Sequence, residues 1–144
     1  MKEKIKLLLL YLLITTITHM ISIMFLQDLN SIKTLICIMI VNVTILIFLM
    51  KYTSIDKVLV PKFLFLIFLL FIPLIIDNDY FLSAYIQSTP TTFFSEKILA
   101  ILSIILYPHT YIFYILYRLD MLQMCFIIIP VYLYLIYSIM KKVL

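Results

Sequence analysis

The chain has 144 residues, of which 66% are apolar and 12% are charged, and its formal net charge is +4. A soluble domain is typically about 45–50% apolar and about 25% charged, so this composition excludes a soluble globular domain, a disordered chain and a nucleic-acid-binding domain. Glycine is absent, which also excludes phosphate-cradling loops and dinucleotide fingerprints, because both need its backbone freedom. We therefore predict an all-α, polytopic membrane helical bundle in which residues 1–144 form a single integral membrane domain.

The apolar runs predict about five transmembrane helices, because a helix that crosses the hydrocarbon core needs about 20 apolar residues. In chain order, the predicted helices cover residues 7–26, 34–50, 58–76, 98–117 and 121–140. The third run is the weakest, since Lys62 leaves only a short uncharged part, and a re-entrant or interfacial helix is the alternative there. Four or six spans are the alternatives for the whole chain.

Residues 98–140 are too many for one crossing, and the run is interrupted by Arg118 and Asp120. Asp120 followed by Gln123 matches a capping box, in which the first side chain accepts a backbone N–H and the second reaches back. The pattern predicts that the last helix begins here, after a tight turn.

The basic residues predict the orientation, since they are enriched in cytoplasmic loops. With five spans and the N-terminus in the cytoplasm, seven Lys and Arg residues are inside and four are outside. The outside group includes Lys141 and Lys142, which argue instead for an even number of spans. The residue usage is typical of an AT-rich genome, so we predict the cell membrane of a low-GC bacterium, with a mitochondrial inner membrane as the alternative.

Polar side chains within the apolar runs are the candidate functional residues, because polar groups in lipid are costly and face protein or a cavity. The predicted intramembrane polar path consists of His19, Asn42, His109, Tyr111, Tyr114 and Arg118. The two histidines could relay a proton near neutral pH. The alternative is that each histidine bonds to a neighbouring helix and holds the bundle together. The tyrosines could equally line a quinone or lipid groove.

A second candidate site lies between the third and fourth predicted helices. Asp77, Asp79 and Glu96 could form an external cation site or an acid/base pair, and a solvated loop rim is the alternative. Cys37 and Cys125 lack the histidine spacing of a zinc site. We expect no metal, no cofactor and no catalytic residues.

Three functions are compatible with these features. The first is a non-catalytic accessory subunit or immunity-type component of a membrane complex, which acts through helix contacts with other membrane protein subunits or as a homo-oligomer. Its partners would include the lipid bilayer and no nucleic acid. The alternative is a small transporter, flippase or channel with a polar path near His19 and His109. The third is a lipid-modifying membrane enzyme, which the sequence favours least.

Overall fold

The structure is a computed structural model that describes residues 2–24, 31–80 and 92–144. Within these ranges it contains six α-helices and no strand. The helices are α1 (Lys2–Met24), α2 (Ile32–Tyr52), α3 (Leu59–Ile76), α4 (Glu96–Ile105), α5 (Tyr111–Arg118) and α6 (Cys125–Val143), and a 3-10 turn at Leu122–Met124 leads into α6. Residues 25 and 26, the end of the first predicted helix, lie outside the described ranges.

Four helical segments are long and apolar enough to cross a membrane, namely α1, α2, α3 and the segment Leu122–Val143. Their outer faces carry large apolar side chains, and Leu9, Phe48 and Phe65 are each 60% exposed or more. Helices that are apolar on all faces are stable in lipid rather than in water. The prediction of a helical fold with long apolar helices is thus confirmed.

The prediction of one continuous helix over residues 98–117 is wrong. Helix α4 ends at Ile105, a non-helical turn covers residues 106–110, and α5 begins at Tyr111. Pro108 lies in this turn, and its peptide bond with Tyr107 is cis. Proline has no backbone N–H to donate and its ring clashes with the preceding helical turn, so this residue separates two helices.

The residues that precede α4 and the residue that begins α6 contact the C-terminal end of α3. The carboxylate of Asp77 accepts the backbone N–H of Phe93 at 2.8 Å and that of Phe94 at 2.7 Å. The side-chain amide of Asn78 donates to Sγ of Cys125 at 3.7 Å. The chain therefore leaves the end of α3 and returns to that same end, and we call residues 96–118 the α4–α5 hairpin.

The depth of the hairpin follows from helix length. The 10 residues of α4 span about 15 Å at about 1.5 Å per residue, and α3 spans about 27 Å. The turn at residues 106–110 thus lies partway along the bundle, between its two ends. Three of its residues, Leu106, His109 and Thr110, are at most 3% exposed.

The two ends of the bundle can be distinguished by their contacts. Lys6 Nζ donates to the carbonyl of Thr53 at 2.6 Å, which joins the beginning of α1 to the end of α2. We call this the Lys6 end, and the opposite one, where α3 ends, the Asp77 end. Because α6 begins beside Asn78, its C-terminus points toward the Lys6 end.

The predicted capping box at Asp120 and Gln123 is wrong. Asp120 has a positive φ of 57° and closes α5, since its N–H bonds to the Tyr117 carbonyl while the Met121 N–H bonds to the Leu116 carbonyl. This pair of bonds is the Schellman arrangement, which usually employs glycine. Ser54, with φ 53°, closes α2 in the same way. Among the described residues of this glycine-free chain, the two at left-handed φ are thus a serine and an aspartate.

The core forms around α3, which packs against both α4 and α6. Phe71 and Leu74 are fully buried, and the ring of Phe71 lies 6.1 Å from that of Phe113 in α5. These contacts fix the inner face of the α4–α5 hairpin, and its other face is left for α1.

We predict that Asp77→Ala lowers the free energy of unfolding by about 1–3 kcal/mol, because the backbone N–H groups of Phe93 and Phe94 lose their shared, buried acceptor. Thermal unfolding of the purified protein in detergent measures this change. Asp79→Ala is the matched control, since Asp79 is exposed, and we expect it to stay within about 0.5 kcal/mol of the parent. Equal losses of unfolding free energy for the two substitutions would contradict the structural role of the two hydrogen bonds that Asp77 accepts.

A cleft between α1 and the hairpin

A cavity of about 670 Å³ lies between α1 and the α4–α5 hairpin. Helix α1 lines it with Leu12, Thr15, Thr16 and His19, and Tyr80 closes it near the Asp77 end. From the hairpin it receives Ser103, Ile104, Ile105, Tyr107, Thr110, Tyr111 and Tyr114. We call this cavity the cleft. None of these lining residues is Asp, Glu, Lys or Arg, so the cleft is polar through hydroxyl groups and one imidazole.

A chain of hydroxyl groups crosses from the hairpin to α1. The hydroxyl of Tyr111 is hydrogen-bonded to that of Tyr107, which is hydrogen-bonded to Ser22 Oγ. Ser22 Oγ in turn donates to the carbonyl oxygen of His19 at 2.8 Å. This chain links the first residue of α5 to the C-terminal half of α1 through the non-helical turn.

Three other hydroxyl groups that line the cleft form hydrogen bonds within their own helices. Thr15 and Thr16 both donate to the carbonyl of Leu12 at 2.8 Å, and Ser103 donates to the carbonyl of Ala100 at 2.7 Å. The imidazole of His19 is exposed on α1 and lies edge-on to the Tyr107 ring, with centroids 4.6 Å apart. The oxygen atoms of these side chains therefore carry the polarity of the cleft wall.

His109 lies in the hairpin turn and is not among the lining residues. It is 2% exposed, and its Nδ1 is hydrogen-bonded to the Tyr132 hydroxyl of α6 at 2.6 Å. Its ring is parallel to that of Tyr11, with centroids 6.2 Å apart, and Tyr11 packs edge-on against Phe63. This layer of rings closes the bundle beyond the hairpin turn, toward the Lys6 end.

The structure divides the predicted polar path into separate places. Three of its residues, His19, Tyr111 and Tyr114, line the cleft. Asn42 is fully buried and donates from Nδ2 to Thr18 Oγ1 at 3.0 Å, which joins α2 to α1. Arg118 is exposed at the last residue of α5. The two histidines thus lie in different surroundings, and the alternative of a helix-bridging histidine describes His109.

Two buried polar atoms lack a hydrogen-bond partner among the described residues. They are the hydroxyl of Tyr11 and the side-chain oxygen of Asn42. An unsatisfied buried group costs about 1–3 kcal/mol, so such groups are rare in a native fold. The Tyr11 hydroxyl belongs to the ring layer just beyond the cleft.

The three carboxylates of the second candidate site have different environments. Asp77 is 7% exposed and binds the two backbone N–H groups described above, whereas Asp79 and Glu96 are exposed. Within residues 2–24, 31–80 and 92–144, no group of three or more His, Cys, Asp and Glu residues could hold a metal ion. Cys125 is buried, and Cys37 is exposed.

The predicted path omits several residues that line the cleft, chiefly Tyr107, Thr110, Ser103 and the threonines of α1. A signal for them is present in the sequence, because a proline is followed directly by two polar residues, His109 and Thr110, inside an apolar run. Such a run favours a helix break at which polar groups gather, since helix-breaking residues at this depth need protein or a cavity around them.

Comparison with protein families, with characterised proteins and with solved structures finds no match to this chain. The assignment of function therefore depends on the geometry of the cleft.

We predict that His109→Ala lowers the free energy of unfolding by about 2–4 kcal/mol, because it leaves a cavity and removes the partner of the Tyr132 hydroxyl. His19→Ala is the matched substitution at an exposed histidine, and we expect a change within about 0.5 kcal/mol. Unfolding titrations in mixed micelles compare the two. A larger loss for His19→Ala would show that the two histidines have been assigned to the wrong roles.

Proposed function

We propose that this chain is a small transporter or flippase that binds its ligand in the cleft and passes it across the membrane. The observation that carries the proposal is the non-helical turn at residues 106–110, which lies partway along the bundle and contributes lining residues to a cavity with hydroxyl groups on a mainly apolar wall. Irregular backbone at membrane depth is tolerated where it is buried in protein or lines a cavity. Transporters place their binding sites at such interrupted helices.

The proposal includes a topology of four spans and one re-entrant hairpin. Helices α1, α2, α3 and α6 cross the membrane, and the α4–α5 hairpin enters and leaves on one side. Both termini then lie on the same side, so Lys141 and Lys142 join the lysines of the Lys6 end. Eight Lys and Arg residues lie at this end and three at the other, which supports a cytoplasmic Lys6 end.

The proposed topology predicts a specific labelling pattern for single cysteines placed in a variant that lacks Cys37 and Cys125. Ser95→Cys and Gln123→Cys should react with a membrane-impermeant maleimide on intact cells. Ser54→Cys and Lys141→Cys should react only after permeabilisation. All four sites are exposed, so the pattern depends on sidedness.

A five-span chain would instead place positions 95 and 123 on opposite sides of the membrane, and likewise positions 54 and 141. Labelling of only one member of either pair on intact cells would therefore overturn the re-entrant hairpin. The labelled proteins must also retain the unfolding temperature of the parent.

Polar side chains also lie beyond the hairpin turn, on the side of the Lys6 end. Their presence supports transfer of the ligand across the membrane rather than binding alone. Thr110 lines the cleft, and the preceding residue, His109, faces Tyr132 and Tyr11 in the buried ring layer. A displacement of the hairpin turn would connect these groups to the cleft. The cleft as it stands reaches from the Asp77 end to the turn, which is the geometry of one access state of a carrier.

Transfer can be measured in liposomes that contain the protein and a fluorescent NBD-labelled glycosylceramide or phosphatidylglycerol in both leaflets. Dithionite bleaches only the outer leaflet, so a transferring protein exposes the protected inner pool. We predict that Thr16→Trp, which fills the cleft, lowers the transfer rate at least about tenfold, a change of about 1.4 kcal/mol in the barrier.

Thr44→Trp is the control for this substitution. Thr44 is exposed on α2 and bonds to the Ile40 carbonyl at 2.8 Å, just as Thr16 bonds to that of Leu12. The rate of lipid transfer by the Thr44→Trp variant should equal that of the parent protein. Absence of transfer of both lipids by the folded parent protein would overturn the proposed function.

The hypotheses of an accessory subunit and of a lipid-modifying enzyme stand as predictions from the sequence. The described residues build a cleft rather than a distinct protein-binding surface, and this is why the transporter class is preferred here.

A further inference from the structure

We propose that the ligand of the cleft is an uncharged membrane amphiphile whose head carries hydrogen-bond-donating hydroxyl groups, such as a glycolipid or an acylglycerol. This inference depends on the proposed function, since it names the class of molecule that the same cleft takes.

The direction of the hydroxyl chain can be assigned from its last member. Ser22 has one hydroxyl proton, and it points to the carbonyl of His19. Ser22 Oγ must therefore accept the proton of Tyr107. The oxygen of Tyr107 then accepts the proton of Tyr111, so Tyr111, whose hydroxyl also lies beside Ser22, has no proton left to donate and keeps acceptor capacity.

The threonine and serine hydroxyls of the wall have the same polarity. Thr15, Thr16 and Ser103 each donate their single hydroxyl proton to a carbonyl oxygen of their own helix. Each hydroxyl oxygen keeps acceptor capacity. Together with Tyr107 and Tyr111, these side chains form the part of the wall that accepts hydrogen bonds, since their own protons are already donated within the protein.

A complementary head must supply protons. Phosphate and carboxylate oxygens are acceptors only, and the lining contains no Lys or Arg to balance their charge. Among the described lining residues, an ammonium head would find no carboxylate partner. A sugar or glycerol head supplies several O–H donors without charge, and a buried neutral group costs far less to desolvate than a charged one.

The apolar part of the ligand has a place beside the same wall. Leu12 and Ile104 line the cleft, yet they are 39% and 71% exposed on the outer surface of the bundle. An acyl chain can therefore run from the cleft into the surrounding lipid along these side chains. The volume of about 670 Å³ lies within the usual range of small-molecule sites, so it accommodates a head of this size.

Binding is tested with the full chain in nanodiscs and three NBD-labelled lipids: the glycosylceramide, the same lipid with its sugar hydroxyls methylated, and phosphatidylglycerol. The methylated lipid keeps the shape and loses only the donors. We expect the glycosylceramide to bind at least about tenfold more tightly than either comparator. Equal or tighter binding of the methylated or the anionic lipid would overturn the inference.

Two variants test the role of the hydroxyl chain. Tyr111→Phe removes the terminal acceptor and should weaken glycosylceramide binding about fivefold to tenfold. Tyr134→Phe, an exposed tyrosine on α6 outside the lining, should leave it unchanged. Ser22→Ala removes the acceptor of the Tyr107 proton and so frees one hydroxyl donor for the cleft, and the preference for the unmethylated lipid should fall. Thr16→Val gives a second test of the wall if Tyr111→Phe does not fold.

Failure of this inference can be separated from failure of the proposed function. Transfer of phosphatidylglycerol alone would retain the transporter and overturn the ligand class. Selective binding of the glycosylceramide with no transfer in liposomes would retain the ligand class and overturn the transporter. A Ser22→Ala variant that binds more weakly but keeps the parental selectivity would overturn the assigned proton direction.

Discussion

The carboxylate of Asp77 is the contact on which the arrangement of the hairpin depends. It binds two successive backbone N–H groups just before α4, and its neighbour Asn78 contacts the first residue of α6. A helix of 10 residues that starts at this end cannot reach the other end of α3, since it covers only about 15 Å. The short lengths of α4 and α5, together with this common anchor, give the segment the form of a hairpin.

The hairpin brings its own polar groups to α1, and this determines the character of the cleft. Tyr107 precedes Pro108, where the helix is interrupted, and it reaches Ser22 of α1 across the gap. A continuous helix would have no turn at this depth, and the Tyr107–Tyr111 pair would instead be a stripe on one helical face. The same interruption therefore creates the cavity and supplies its hydroxyl chain.

Most of the helices can be predicted from the sequence, because the hydropathy of a segment and the lysines that flank it indicate locally where a helix begins and ends. The predicted helices over 34–50 and 58–76 correspond closely to Ile32–Tyr52 and Leu59–Ile76. The run at 98–117 misled the prediction, since its length and hydropathy equal those of a span. The anchor at Asp77 is a contact over 16 residues, and no local pattern reports it. Lys141 and Lys142 are the basic residues that favour an even number of spans.

The candidate site could be predicted only in part, for a related reason. His19, Tyr111 and Tyr114 were recognisable as polar groups in apolar runs, but their grouping depends on how the hairpin turn faces α1. His109 has the same composition signal as His19 and lies in the buried layer instead. Among the described residues, the Tyr11 hydroxyl of that layer has no hydrogen-bond partner, and a purely structural core would satisfy it or replace it with phenylalanine. Departures from helix continuity and from complete hydrogen bonding cost stability, so they are expected where function requires them. Here the interrupted helix and the Tyr11 hydroxyl, which has no partner among the described residues, lie on the two sides of one turn.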